Sequence, residues 1–259
     1  MMKLRLGSQV VSLRGIIFDK DGTLLNSFVI WPRLIRRRVE YLEGYFTLEP
    51  EVKELIMRAM GLGKDNIVVR RSPIVVGTRY QTAGAVATVL FLHQGIPWDE
   101  GLQKTLAAFA TCDEQAGLDW QAVPIPGVAD ALRRLHGAGF RLAVATNDDR
   151  KRTEALMDLC GLKPYIHAYA CQDEVGNSKP DPEMVYLAAR RLGLSPSECA
   201  VVGDSLLDVE MGRRAGVKVT VGVTSGACSA SELEGVADVV LPGVVAMLPD
   251  GEAVGEGAC

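Results

Sequence analysis

What this chain lacks narrows its function before any motif is considered. It has no long apolar run: the most apolar helical candidate, Ala83 to Leu92, falls far short of the about 20 residues that a membrane span needs. It has no excess of positive charge. With 28 Lys and Arg against 32 Asp and Glu, the net charge of −4 gives no overall electrostatic reason to expect nucleic-acid binding. There is no CxxC pair, and the six cysteines (Cys112, Cys160, Cys171, Cys199, Cys228 and Cys259) are scattered, several of them in apolar stretches. That pattern reads as reduced packing thiols rather than disulfides or zinc ligands. Met1 to Gly15 carries Lys3, Arg5 and Arg14 but no apolar core of signal-peptide length, so export is not expected and the cytoplasm is the expected location. No internal repeat is present. A chain of 259 residues, 48% apolar and 23% charged, can build a sizeable core as one large domain or two unequal ones.

One stretch anchors the rest. Ile16-Ile17-Phe18-Asp19-Lys20-Asp21-Gly22-Thr23-Leu24-Leu25 runs from apolar residues into two carboxylates and a glycine turn. Val10 to Phe18 reads as a single apolar strand buried on both faces, the kind that belongs to a parallel sheet. In open α/β sheets ligands bind beyond the carboxyl ends of the strands, where Asp19 and Asp21 would lie. Residues two apart on a strand point the same way, so both carboxylates face one site if the strand persists that far. Two acids about 4 to 6 Å apart repel unless a proton or cation separates them, and Mg²⁺ is the simplest hard cation for oxygen ligands.

After Leu25 the apolar period becomes helical. Helices are predicted at Phe28 to Tyr45, with Asn26 or Ser27 as N-cap, and at Glu49 to Met60, Thr78 to Gln94 and Pro97 to Ala116. Asn66 to Val76, β-branched and broken by Pro73, is ambiguous. From Pro124 strands and helices alternate: helices at Gly127 to Gly137, Arg150 to Leu159, Pro182 to Leu192 and Leu206 to Ala215, and strands at Phe140 to Thr146, His167 to Cys171, Cys199 to Gly203, Lys218 to Val223 and Ala237 to Leu241. Such alternation implies right-handed crossovers and a parallel sheet covered by helices on both faces. The expected architecture is an α/β Rossmann-like three-layer core made of residues 1–25 and 123–248. An α-helical cap, residues 26–122, is inserted in it, and residues 249–259, rich in glycine and small residues, form a tail expected to be disordered.

Three further signals end core strands. The strand closing on Thr146-Asn147 offers a hydroxyl and an amide that suit phosphate oxygens, or that merely cap the next helix. Ser178-Lys179-Pro180-Asp181-Pro182-Glu183 sets a lysine in a stiff proline-held loop, either a fixed charge for an anion or a surface residue. Gly203-Asp204-Ser205-Leu206-Leu207-Asp208 places two acids at helical spacing on one face after a buried strand; Asp204 as an N-cap and Asp208 as a solvated helix residue is the alternative.

Taken together and in this order, the four stretches resemble the motifs of the haloacid dehalogenase superfamily, the aspartate-nucleophile phosphohydrolases. The resemblance spans residues 14 to 241, and the place of the insert is similar to that in the subfamily of phosphoglycolate phosphatase and β-phosphoglucomutase. It implies that Asp19 attacks phosphorus and forms an aspartyl-phosphate, and that Asp21 protonates the leaving alkoxide and then deprotonates water. It further implies Mg²⁺ held by Asp19, the backbone carbonyl of Asp21 and Asp204, with Asp208 in an outer or water-mediated role. Thr146 and Lys179 would hold the phosphoryl oxygens, with Gly22, Thr23 and Asn147 completing the phosphate cradle.

Departures from relatives narrow the choice. Dehalogenases of this superfamily lack the second acid, so Asp21 favours phosphoryl transfer. Mutase-like members carry a histidine twelve residues after the nucleophile, where this chain has Trp31, and phosphonoacetaldehyde hydrolases use a cap lysine, whereas Arg33, Arg36, Arg37 and Arg38 precede the first cap lysine, Lys53. Asn26 stands where many relatives have an aspartate, a change expected to touch the hinge or helix capping rather than the chemistry. The resemblance implies that the cap closes over the core and selects the substrate. Arg70, Arg71 and Arg79 are the candidates to meet a second anionic group such as a carboxylate. The expected function is a Mg²⁺-dependent phosphatase for small phosphorylated metabolites, acting as a monomer or homodimer without nucleic-acid or membrane partners. A phosphoglucomutase-like transferase and a non-catalytic phospho-ligand-binding regulator are the alternatives.

Overall fold

A computed structural model describes residues 1–115, 117 and 122–251 of the chain. In chain order its elements begin with β1 (Met2–Leu6), β2 (Gln9–Leu13) and β3 (Gly15–Phe18). The helices α1 (Ser27–Leu42), α2 (Pro50–Met60), α3 (Pro73–Val76), α4 (Arg79–Gln94) and α5 (Trp98–Gln115) follow. Then come α6 (Val128–Gly137), β4 (Arg141–Thr146), α7 (Arg150–Leu159), β5 (Ala168–Cys171), α8 (Glu183–Leu192), β6 (Cys199–Gly203), α9 (Leu206–Ala215), β7 (Val219–Val223), α10 (Ala230–Leu233), β8 (Val239–Leu241) and β9 (Met247–Pro249). The chain divides into two compact units, Met1–Asn26 with Pro124–Cys259, and Ser27–Val123.

The first unit is built on a six-stranded sheet in the order β5-β4-β3-β6-β7-β8, with every neighbouring pair parallel. This is the Rossmann-like arrangement expected from the alternation of strands and helices. The strand β3 lies in the middle and is buried at all four residues. Ile17 faces the side packed by α8 and α9, where it joins Ala143, Val201, Met184, Ala188 and Met211 in one apolar cluster. From β3 the connections run first to one side, through β4 and β5, and then return through β6 to the other. The order therefore reverses beside β3, and the carboxyl ends of β3, β4 and β6 meet there.

The predicted single strand from Val10 to Phe18 is in fact two. Leu13 ends β2, Gly15 begins β3, and they belong to different sheets. The reason is visible in the burial: Val10 and Ser12 are exposed, so the first half alternates as a strand with one wet face, whereas Gly15–Phe18 is dry throughout. Arg14 makes the change of direction, its N–H donating to the Glu198 carbonyl at 2.8 Å and its carbonyl accepting from the Arg141 N–H at 2.9 Å. Gly15 is required by space, because a Cβ there would stand 2.7 Å from Cys199 Sγ and from Leu194 Cδ1.

The N-terminal residues, expected to lead straight into the first strand, instead form β1. It pairs antiparallel with β2 (Leu4↔Val11) and with β9 (Leu4↔Pro249) in a separate three-stranded sheet. Pro249, placed by the sequence reading in a disordered tail, thus belongs to a strand, and the Asp250 N–H donates to the Lys3 carbonyl at 2.9 Å. The rest of that expectation, residues 252–259, lies outside the described residues.

The second unit is helical. Its apolar core includes Trp31, Ile35, Ile56, Val86, Leu90 and Phe109. Thr78 forms a capping box at the start of α4, its Oγ1 accepting from the Gln81 N–H at 3.2 Å while Gln81 Oε1 accepts from the Thr78 N–H at 2.8 Å. The ambiguous stretch after Asn66 resolves into a loop followed by the single turn of α3, which starts at Pro73. Arg38 is buried in this unit, 4.3 Å from the centre of the Phe109 ring and 3.5 Å from Asp113 Oδ2. Among the described residues no helix is long and apolar enough to cross a membrane.

Candidate active site

Asp19 leaves the end of β3 with its N–H donating to the Val202 carbonyl at 2.8 Å, one step beyond the β3–β6 ladder. The chain then winds tightly. The Leu24 and Leu25 N–H groups both donate to the Lys20 carbonyl at 2.9 Å, and Gly22 turns with φ +81°. Only glycine adopts that backbone cheaply.

Lys179 reaches Asp19 from the loop before α8. Its Nζ lies 2.5 Å from Asp19 Oδ1 and 2.7 Å from Asp208 Oδ1, and all three side chains are buried. The loop that carries it is pinned from both sides. The Lys179 N–H donates to Asn147 Oδ1 at 3.3 Å, and the Glu183 carboxylate accepts from the Gly176 N–H at 2.7 Å and the Asn177 N–H at 3.0 Å. The Lys179–Pro180 peptide is cis.

The other two acids come from the β6–α9 junction. Asp204 follows the end of β6, and its Oδ2 accepts from the Ala227 N–H at 2.6 Å. Asp208 closes a capping box with Ser205, its Oδ2 accepting from the Ser205 N–H at 3.1 Å and the Ser205 hydroxyl at 2.6 Å. With Oδ1 on Lys179 and Oδ2 on Ser205, Asp208 is held from both ends. Carboxylate oxygens of Asp19, Asp204 and Asp208 all lie within 4.8 Å of one another.

Three carboxylates against one ammonium leave an excess of two negative charges in a buried place. Burial pushes the Asp19 carboxyl up to about 7, with Asp208 and Asp21 adding to the rise and Lys179 opposing it. Burial, then the Asp19 and Asp208 charges, likewise raise Asp204 well above the usual carboxylate range. Burial works to lower Lys179, but Asp19 and Asp208 outweigh it and hold the ammonium charged. A cluster of oxygen donors with surplus negative charge fits a hard divalent cation such as Mg²⁺, and Asp19, Asp204 and Asp208 are the side chains placed to hold or orient it.

The remaining candidate residues each have their own surroundings. Thr146 is buried at the end of β4, its Oγ1 accepting from the Asp148 N–H at 3.2 Å. Thr23 is fully buried, and its hydroxyl has no hydrogen-bond partner among the described residues. The Asp21 carboxylate stands outside the three-acid cluster and lies 2.8 Å from Lys20 Nζ. Arg79 begins α4, 3.0 Å from Asp113 Oδ2, while Arg70 and Arg71 lie exposed on the loop before α3.

Two features escaped the sequence reading. Lys20, between the two acids, is buried and links Asp21 to Asp148 at 3.1 Å, which Arg152 also grips at 2.9 Å. A lysine at the end of a dry strand could have flagged this, because such a residue is rarely buried without acidic partners. The second is the loop after β7, Thr224 to Cys228, which touches Asp204 and Gly22. Its Thr-Ser-Gly sequence resembles any surface turn.

A model of haloacid dehalogenase-like hydrolases matches residues 13–216, a span that contains all four strand-end motifs. The chain belongs to the haloacid dehalogenase-like hydrolases. Among similar members, phosphoglycolate phosphatase of Salmonella typhimurium is 29% identical over 217 residues, 83% of this chain and 82% of the relative. N-acetylmuramic acid 6-phosphate phosphatase of Pseudomonas aeruginosa is 29% identical over 214 residues, 80% of each. The fold is shared with a crystal structure of a phosphoglycolate phosphatase predicted in Haemophilus somnus, at TM-score 0.67 and 21% identity, covering 91% of this chain and 96% of that one.

Proposed function

We propose that this hydrolase is a Mg²⁺-dependent phosphatase that cleaves small phosphate monoesters through an aspartyl-phosphate on Asp19. One observation carries the reading: Asp19, Asp204 and Asp208 converge within 4.8 Å around the Lys179 ammonium at the sheet's switch point. Hydrolysis of phosphate monoesters is extremely slow uncatalysed, so the site must position the reactants and neutralise charge.

In the proposed reaction an Asp19 carboxylate oxygen attacks phosphorus as the bond from phosphorus to the leaving oxygen breaks. Asp21 donates its proton to the departing alkoxide. Water then attacks the phosphorus of the aspartyl-phosphate, its proton passes to Asp21, and the bond from phosphorus to Asp19 breaks to release phosphate and restore the carboxylate. Lys179 and Thr146 orient the phosphoryl oxygens, with Gly22, Thr23 and Asn147 shaping the cradle. Asp19, the Asp21 carbonyl and Asp204 would hold Mg²⁺, with Asp208 fixing Lys179. When bound, the cation supplies positive charge against the phosphoryl oxygens.

Trp31, in the position where mutase-like members carry histidine, is buried against Phe28 with ring centres 4.7 Å apart, which supports hydrolysis over transfer. The two relatives named above act on phosphorylated acids, so a second anionic group is the expected substrate feature, with Arg70, Arg71 and Arg79 as its candidate contacts. Residues 26–122 are accordingly the proposed cap, and the cytoplasm the proposed location.

The test is magnesium-dependent turnover of p-nitrophenyl phosphate, followed by a panel of phosphorylated metabolites. Asp19→Asn should lower turnover by about a thousandfold or more. Parental turnover in that variant, or activity unaffected by EDTA, would refute the reading.

A further inference from the structure

The carboxylate of Asp204 sits in a slot between two glycines. A Cβ on Gly22 would come within 2.8 Å of Asp204 Cγ and 3.0 Å of Gly226 Cα, and a Cβ on Gly226 would overlap Asp204 Oδ2 and Cγ outright. Gly22 needs glycine for its φ as well, but Gly226 does not turn through positive φ, so space alone excludes a side chain there. The loop that supplies Gly226 is fastened at four points. The Thr224 N–H donates to the Leu241 carbonyl at 3.0 Å, and the Ser225 hydroxyl donates to the Gly22 carbonyl at 2.7 Å. The Ala227 N–H donates to Asp204 Oδ2 at 2.6 Å, and the Cys228 N–H donates to the Asp204 backbone carbonyl at 3.0 Å. Gly226, Ala227 and Cys228 are buried.

We propose that the loop Thr224–Cys228 is the positioning element that sets divalent-cation affinity, an inference that rests on the magnesium reading of the three-acid cluster. The Ala227 N–H engages Oδ2, and the two glycines confine the carboxylate, so Oδ1 would be the oxygen left to a cation. Ser225 ties this loop to the turn after Asp19, so that donors from the β3 end and the β6 end keep their spacing. Partners behind a ligand hold its orientation, and their loss typically costs tenfold to a hundredfold in metal affinity. Ser225 and Gly226 act through Asp204 and Gly22 rather than on substrate.

The experiment is isothermal titration of Mg²⁺ into EDTA-stripped protein, comparing the parent with Gly226→Ala, Ser225→Ala and Asp204→Asn. Gly226→Ala should weaken Mg²⁺ binding by about tenfold or more, and Ser225→Ala by a smaller factor in the same direction. In both, p-nitrophenyl phosphate turnover should return toward the parental kcat at saturating Mg²⁺, a recovery that general loss of structure would not give. If Gly226→Ala fails to fold, Ser225→Ala decides, since its half-exposed hydroxyl can be removed without filling the slot. Parental Mg²⁺ affinity in the folded variants, with binding abolished in Asp204→Asn, overturns this inference alone. A parent that binds no Mg²⁺ overturns the magnesium reading and this inference with it.

Discussion

Lys179 Nζ lies 2.5 Å from Asp19 Oδ1, joining two buried residues that stand 160 positions apart in the chain. The same ammonium touches Asp208, so it is the charge that lets these acids share one place. Lys179→Met should therefore act twice. It leaves buried carboxylates uncompensated, at about 3 kcal/mol of stability, and it removes a fixed cation from the proposed phosphoryl site, at about a hundredfold or more in kcat. Urea unfolding and steady-state kinetics on the same preparation measure both. A variant with parental stability and turnover would show that the pair is incidental.

The metal-free protein should lose stability as pH rises from about 4 to about 7. Asp19 titrates near 3.8 in the unfolded chain but at about 7 in the folded site, so between those values the folded state holds a proton that the unfolded chain has released. Stability then falls as pH increases through that window, and the raised Asp204 adds in the same direction. In EDTA the Tm should drop by several degrees across the window, Mg²⁺ should restore it at the alkaline end, and Asp19→Asn should flatten the profile. A Tm in EDTA that climbs through the window would mean that the acids are stabilised as carboxylates without a cation.

Two arginines of the proposed cap, Arg79 and Arg70, should separate by function. Arg79 is bound to Asp113 beside buried Arg38, so Arg79→Ala should cost about 1 kcal/mol of stability. Arg70 lies exposed, and Arg70→Ala should leave Tm unchanged. If these arginines receive a carboxylate, Arg70→Ala should lower kcat/KM for carboxylate-bearing phosphate esters by about tenfold while sparing p-nitrophenyl phosphate. Equal losses on both kinds of ester would assign Arg70 no part in selecting an acid.

Much of this site was legible because Asp19 and Asp204 follow dry strands, Asp208 sits in the first turn of a helix, and Lys179 is held in a proline-flanked loop before one. Cys199–Gly203 and Arg150–Leu159 fall at their predicted bounds, since a buried apolar run and an N-capped helix declare themselves locally. Asp19, Lys179, Asp204 and Asp208 could be named from their motifs, but their meeting depends on strand order, which no local pattern contains. The misread start has the same origin: Val10 to Phe18 is apolar enough for one strand, and only the pairing of β1 with both β2 and β9 decides that it is two. Ser225 and Gly226 stayed hidden because their role lies in contact with Asp204 and Gly22, residues far from them in sequence.

The most direct measurement is a rapid-quench reaction with a labelled phosphate ester, followed by peptide mapping of the trapped protein. One phosphoryl group should appear on the peptide that contains Asp19, labile to hydroxylamine, and it should be absent from Asp19→Asn. Parental turnover with no label on that peptide, or label that persists in Asp19→Asn, would contradict the assignment of Asp19 as the nucleophile.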